Sequence, residues 1–356
     1  MESQAKQNPS HGRGTAENPP NRFEKLVYVR DPDLDDDEQP STKTQFLRDV
    51  SKSLITYNDS PDVGFEASIN PYRGCEHGCI YCYARPYHEY LGFSSGLDFE
   101  TKILVKEDAP ELLRKELASR RWTPKVLAIS GVTDPYQPIE RKLQLTRRCL
   151  EVLEEFRNPV MIITKNQLVA RDVDVLKRMS EFKCAAVFLS ITTLDGELAR
   201  VMEPRTSSPS NRLAAIETLA REGVPVGVLA APTIPGLTDH EMTSIITSAA
   251  NAGARYAGYV VVRLPYAVKE LFEGWLEQNF PDRKKKVLNR IREMRGGKLN
   301  DPRFGSRMRG EGVYSKQINS MFKLACKRAG IEGRHPELST DSFRVPSGPQ
   351  LSLFSS

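Results

Sequence analysis

From residue 65 onward, short runs of β-branched and aliphatic residues alternate with longer stretches in which apolar positions recur every third or fourth residue. The first pattern predicts strands and the second predicts amphipathic helices laid on a core. Strands are expected over 67–72 (ASINPY), 125–130 (KVLAIS), 160–164 (VMIIT), 186–192 (AVFLSIT), 226–232 (VGVLAAP) and 259–265 (YVVVRLP), with helices over 143–156, 173–182, 211–222 and 239–252. Six strands with intervening helices predict an α/β fold, a partial (β/α)6 TIM-like barrel. Chemistry in such a barrel belongs in the loops at the carboxyl ends of its strands.

The flanks follow different rules. Residues 1–45 are rich in Asn, Pro, Ser, Gly and charge, turn acidic over 31–38 (DPDLDDDE), and lack aliphatic periodicity. Such a segment does not offset its own ordering entropy and is expected to be disordered. The barrel then occupies 46–265, a basic C-terminal region 266–338, and a Ser- and Pro-containing tail 339–356. A net charge of +5 is mild; the separation of an acidic beginning from a basic end says more. No apolar run is long enough to span a bilayer and no secretory signal is read, so the expected setting is cytoplasmic and reducing, with no membrane contact.

Candidate chemistry concentrates in residues 69–87, INPYRGCEHGCIYCYARPY, where Cys75, Cys79 and Cys82 stand at Cys-x3-Cys-x2-Cys spacing. Three thiolates on a four-iron cluster leave one iron free to chelate a substrate or cofactor. A structural zinc completed by His77 or His88 is the alternative, although zinc sites usually pair two Cys-x2-Cys units. Cys149, Cys184 and Cys326 lie in apolar settings and read as core thiols. Strand ends add polar groups: Thr133 and Asp134 after the second strand, Lys165 after the third, Ser190 and Thr192 alternating on the fourth, and Ile234 in the AAPTIPGLTD turn after the fifth. Thr133 and Asp134 offer a hydroxyl and a carboxylate to an amine, and Ile234 an apolar edge to an adenine. No Gly-rich phosphate loop follows any strand, which favours a sulfonium nucleoside over a phosphate-bearing cofactor.

The cysteine spacing, with Tyr81 before the third cysteine, resembles the radical S-adenosylmethionine superfamily. The Tyr81-Cys82-Tyr83 triplet, Thr133-Asp134, Thr164-Lys165, Phe188-Leu189-Ser190-Ile191, the Glu203-Pro204-Arg205-Thr206-Ser207 turn and Ala231-Pro232 extend the likeness to the spore photoproduct lyase branch, from about Asn70 to about Tyr314. That resemblance implies a [4Fe–4S] cluster on the three cysteines and S-adenosylmethionine along Tyr83, Thr133, Lys165, Ser190 and Ala231, with Lys165 at its carboxylate. It also implies reductive generation of a 5′-deoxyadenosyl radical and a reductant such as flavodoxin or ferredoxin. Tyr81 and Tyr83 would stand where that family passes hydrogen or electrons. One departure matters: where the lyase carries a hydrogen-donating cysteine after the second strand, this chain has Gly131. The expectation is therefore a changed substrate or a tyrosine-based donor.

Two further segments bear on partners. Residues 283–309 are densely basic, and Lys284, Lys285, Arg303, Arg307 and Arg309 interleave with Phe304 and Met308. Cations with apolar wedges suit phosphate neutralisation and base extrusion in DNA. The tail carries Gln350, Leu351, Leu353 and Phe354, a QLSLF sequence resembling the motif that docks repair proteins on the bacterial sliding clamp. The combined expectation is a radical enzyme acting on a damaged pyrimidine in DNA. Modification of RNA or of a protein side chain, or a non-catalytic iron–sulfur redox sensor, are the alternatives.

Overall fold

Ala, Val, Ile and Leu fill the strands that the periodicity marks, and pairing of these strands builds the molecule. In chain order they are β1 (Gln45–Arg48), β2 (Ile55–Tyr57), β3 (Ala67–Ile69), β4 (Tyr72–Arg73), β5 (Lys102–Val105), β6 (Leu127–Ile129), β7 (Val160–Thr164), β8 (Ala185–Ser190), β9 (Val226–Thr233) and β10 (Tyr256–Val261). The computed structural model describes residues 12–23, 43–331, 333 and 336–346.

The larger sheet runs β10-β9-β8-β7-β6-β3-β2. Its six strands from β3 to β10 are parallel, and β2 closes the edge antiparallel to β3. This is the partial barrel. Every residue of β8 is buried, as expected of a central strand covered on both faces. Helices Leu145–Phe156, Val173–Ser180, Pro209–Arg221 and Met242–Asn251 turn Leu150, Leu153, Leu176, Ile216, Leu219 and Ile246 onto it. Ser208 caps the third of these by accepting from the Asn211 amide. A smaller sheet, β1-β5-β4, leads directly into the cysteine loop.

Two expectations need correction. The sixth strand begins three residues earlier than expected, at Tyr256 in place of Tyr259. Its register with β9 is set by Gly258 and Tyr259, opposite Leu229 and Ala230, and 262–265 leave the sheet as a loop. Residues 12–23, expected to be disordered, lie against the cysteine loop. The Gly14 amide donates to Glu100 at 2.9 Å, Asn18 bonds Asp98 and Asn21 bonds the Phe93 carbonyl. Polar composition hid this order because buried carboxylates elsewhere in the chain supply it, not aliphatic burial. In the basic C-terminal region the helices after β10, Val268–Asn279 and Pro281–Met294, pack onto the barrel: Phe272, Leu276, Val287 and Ile291 share one apolar cluster with Cys79, Tyr81 and Ile234.

Candidate active site

The cysteine loop sits at the carboxyl ends of the strands and is held by backbone contacts to several of their loops. The Cys75 amide donates to the Phe99 carbonyl at 2.9 Å, and the Ile80 amide to the Met202 carbonyl at 3.1 Å. The Glu76 amide donates to Gln137 at 3.0 Å. Gly78 turns the loop at φ +66°, where a Cβ would lie 2.6 Å from a Glu100 oxygen. Fully buried Arg85 braces the interior by donating to the Gly78, Cys79 and Gly96 carbonyls and pairing with Glu100 at 2.6 Å. An unpartnered guanidinium there would be costly, so the loop and its brace specify each other.

Tyr81 points inward. Its hydroxyl contacts Glu203, which also holds Arg212, and lies 3.1 Å from Thr192 Oγ1. Burial alone would raise the Glu203 carboxyl, but Arg212, Lys165, Thr192 and Tyr81 pull it down to about 2. Asp134 is likewise committed inside the protein: it accepts from Thr164 Oγ1 at 2.7 Å and the Lys165 amide at 2.8 Å, and faces His77 at 3.4 Å. Thr133 donates to the Gly74 carbonyl at 2.6 Å. Both residues thus tie the cluster loop to the ends of its neighbouring strands. Lys165 reaches across the mouth to the Ala231 carbonyl at 3.1 Å, with its ammonium 5.9 Å from the Tyr81 ring. Ser190 is buried at the end of β8, its carbonyl accepting from Arg212. Ile234 is fully buried in the cluster with Leu237 and Val262 and presents no open edge.

Tyr83 faces the other way. It is 41% exposed, and with Tyr87, Tyr90, Tyr266, Arg22 and Arg263 it lines a cavity of about 530 Å³ beside the loop. Arg22, from the N-terminal segment, ion-pairs with Glu89 and lies 3.6 Å from the Tyr266 ring centroid. Arg263 sits 5.1 Å over Tyr83. Sequence reading missed both. The rule that found Lys165 at a strand end finds Arg263 as well once β10 is placed at Tyr256–Val261.

The basic residues chosen from the sequence are largely occupied. Lys284 pairs with Glu277 at 2.8 Å, Arg303 with Asp301 at 2.8 Å and Glu311 at 3.1 Å, and Arg307 with Asp62. Arg309 stacks 4.7 Å from Tyr259. Lys285 is exposed. Gln350, Leu351, Leu353 and Phe354 lie outside the described residues.

A parallel partial barrel with three free cysteines in one loop at its mouth defines a class of metallocofactor enzyme. Residues 69–249 match the radical SAM superfamily, and the chain belongs to it. It is a radical S-adenosylmethionine enzyme, and its cofactors are a [4Fe–4S] cluster and S-adenosylmethionine. An uncharacterized protein of Mycobacterium tuberculosis is 34% identical over 65% of this chain and 67% of its own length. A radical SAM Nalpha-GlyT isomerase of Pseudomonas phage M6 is 27% identical over 48% of this chain and 34% of its own. Solved spore photoproduct lyase, including a form with a dinucleoside spore photoproduct, is similar at TM-score 0.57 and 18% identity over 82% of each chain. That likeness establishes the fold. Among the described residues no helix is long and apolar enough to cross a membrane.

The donor set fits the cluster. Burial pushes the Cys79 thiol well up, with Glu203 and both other thiols adding to the rise, and Cys82 goes to about 11 by burial and the nearness of Cys75. Three thiolates crowded in a buried loop are stabilised by cationic iron. Among the described residues no group of three His, Cys, Asp or Glu is placed to hold a single metal ion. A cubane makes no such demand, since each thiolate takes its own corner.

Proposed function

We propose that the enzyme acts on a nucleobase within DNA, at a pyrimidine site. The observation that carries this reading is the cavity beside Tyr83, where aromatic rings and cations line one space. Rings stack on bases of any sequence, and guanidinium and ammonium groups meet the phosphates that come with them. The similar fold of spore photoproduct lyase takes a dinucleoside photoproduct, which supports a base-sized substrate at the same mouth.

Cys75, Cys79 and Cys82 would hold the cluster, and Lys165 would meet the carboxylate of S-adenosylmethionine. When bound, these cofactors supply a 5′-deoxyadenosyl radical able to abstract hydrogen from carbon. The protein's own residues orient and exclude water. Arg85 and Glu100 fix the loop, and Glu203 holds Tyr81 against Thr192. Packing of Ile234 against the two helices after β10 closes the apolar side of the mouth. We assign substrate contact to Tyr83, because it lines the cavity. Enzymes of this class need an electron donor, and a flavodoxin or ferredoxin is our proposed source.

Anaerobically reconstituted protein given dithionite, S-adenosylmethionine and duplexes carrying defined pyrimidine lesions tests the reading by mass spectrometry. DNA-dependent 5′-deoxyadenosine with a changed base mass is the expected result. Release of 5′-deoxyadenosine that no DNA stimulates would sink it.

A further inference from the structure

The cavity beside Tyr83 holds a cation that makes no ion pair among the described residues. Arg263 leaves the carboxyl end of β10, its Nε is buried without a hydrogen-bond partner, and its Nη1 reaches only the Met308 sulfur at 3.8 Å. Asp62 is ion-paired with Arg307. Buried Arg295 nearby donates to the Ser306, Arg307 and Val262 carbonyls, and it too adds positive charge with no carboxylate bound to it among the described residues. Desolvation, with the repulsion of Arg307, lowers the Arg263 pKa from its ordinary value and outweighs the opposing pull of Tyr83, Tyr87 and Asp62. Lys298, exposed on the same cavity wall, makes no ion pair among the described residues.

A half-buried guanidinium kept without an acid is costly. Its planar fork suits bidentate contact with a phosphate, and a compact ammonium adds charge beside it. Tyr83 lies under the same guanidinium, so an anion bound there leaves the adjoining base against the tyrosine wall.

We propose that Arg263, assisted by Lys298, is a phosphate subsite, through which the enzyme takes its target base as part of a phosphodiester-linked strand and discriminates against a free nucleoside. This rests on the nucleic-acid reading above and adds the group recognised.

The test compares thymidylyl-thymidine with its uncharged methylphosphonate analogue, binding each to reconstituted holoenzyme by calorimetry. The expected preference for the charged dinucleotide is about ten- to a hundredfold, the scale of hydrogen bonds to a charged partner. Arg263→Ala should bring the two affinities together, and Arg263→Lys should leave a partial preference because a point charge lacks the fork. Lys298→Ala, at an exposed position, should reduce the preference with the melting temperature unchanged, which keeps the test decisive if Arg263→Ala does not fold. Equal affinities for the two probes in the wild type overturn the subsite and leave the nucleic-acid reading standing. A preference undiminished in both Arg263→Lys and Lys298→Ala overturns its assignment to these residues. Binding of neither probe overturns the nucleic-acid reading with it.

Discussion

Glu203 connects the cluster loop to the barrel through one carboxylate, accepting from Arg212, Thr192 and Tyr81 together. Glu203→Gln leaves Arg212 buried without its counter-charge, so we expect a loss of about 3–5 kcal/mol in anaerobic urea unfolding. The pH dependence has a definite sign. Because the folded carboxyl is held below its ordinary 4.5, at about 2, its contribution is complete above 4.5 and is lost as pH falls through about 2. The wild type should therefore weaken through that window, and Glu203→Gln should show a flatter profile; parallel profiles would remove Glu203 from the account. At this scale the sequence was legible where a polar residue ended an apolar strand, as at Lys165. It was opaque for Arg85 and Glu100, whose pairing joins two loops and leaves no periodic trace.

The cysteine loop and the segment laid on it form the next scale. Cys79→Ala should yield colourless protein lacking the complement of about four irons that a cubane gives, as measured by iron analysis after anaerobic purification. Gly14 tests the seat of the N-terminal segment, because a Cβ there would lie 1.8 Å from the Gly78 carbonyl oxygen. Overpacking against backbone costs about 1–3 kcal/mol. Gly14→Ala should therefore speed hydrogen exchange in 12–23 and in the loop while β7 and β8 keep their protection; unchanged exchange would show that the seat tolerates a methyl group. Composition could not reveal this element. Its order comes from Glu89, Asp98 and Glu100, acids far along the chain that meet its arginine, asparagine and backbone amide.

For the whole molecule, alternation of strand and helix made the six parallel strands readable, since each βα unit buries its own apolar face. The displaced sixth strand shows the limit: Val260, Val261 and Val262 look alike in sequence, and only pairing with β9 decides which of them belong to the sheet. Total charge is plain in the sequence but its pairing only partly so: Glu277, Asp301 and Glu311 lie close by in the chain and Asp62 far from it, and they hold Lys284, Arg303 and Arg307. If DNA runs along helix Pro281–Met294, exposed Lys285 and Lys286 carry its salt dependence. Replacing both with Ala should lower the slope of log K against log salt by about 1.8, at about 0.9 per phosphate contact. Arg303→Ala should leave the slope unchanged, and a fall in that variant would mean that DNA displaces Asp301 and Glu311.

The resting place of Arg22 on the Tyr266 ring also orders events in time. Glu89, Phe93, Asp98 and Glu100 leave a ribosome long before Tyr266, so most of the seat for residues 12–23 is available early. The clasp of Arg22 on Tyr266 can form only after the last barrel strand has been made.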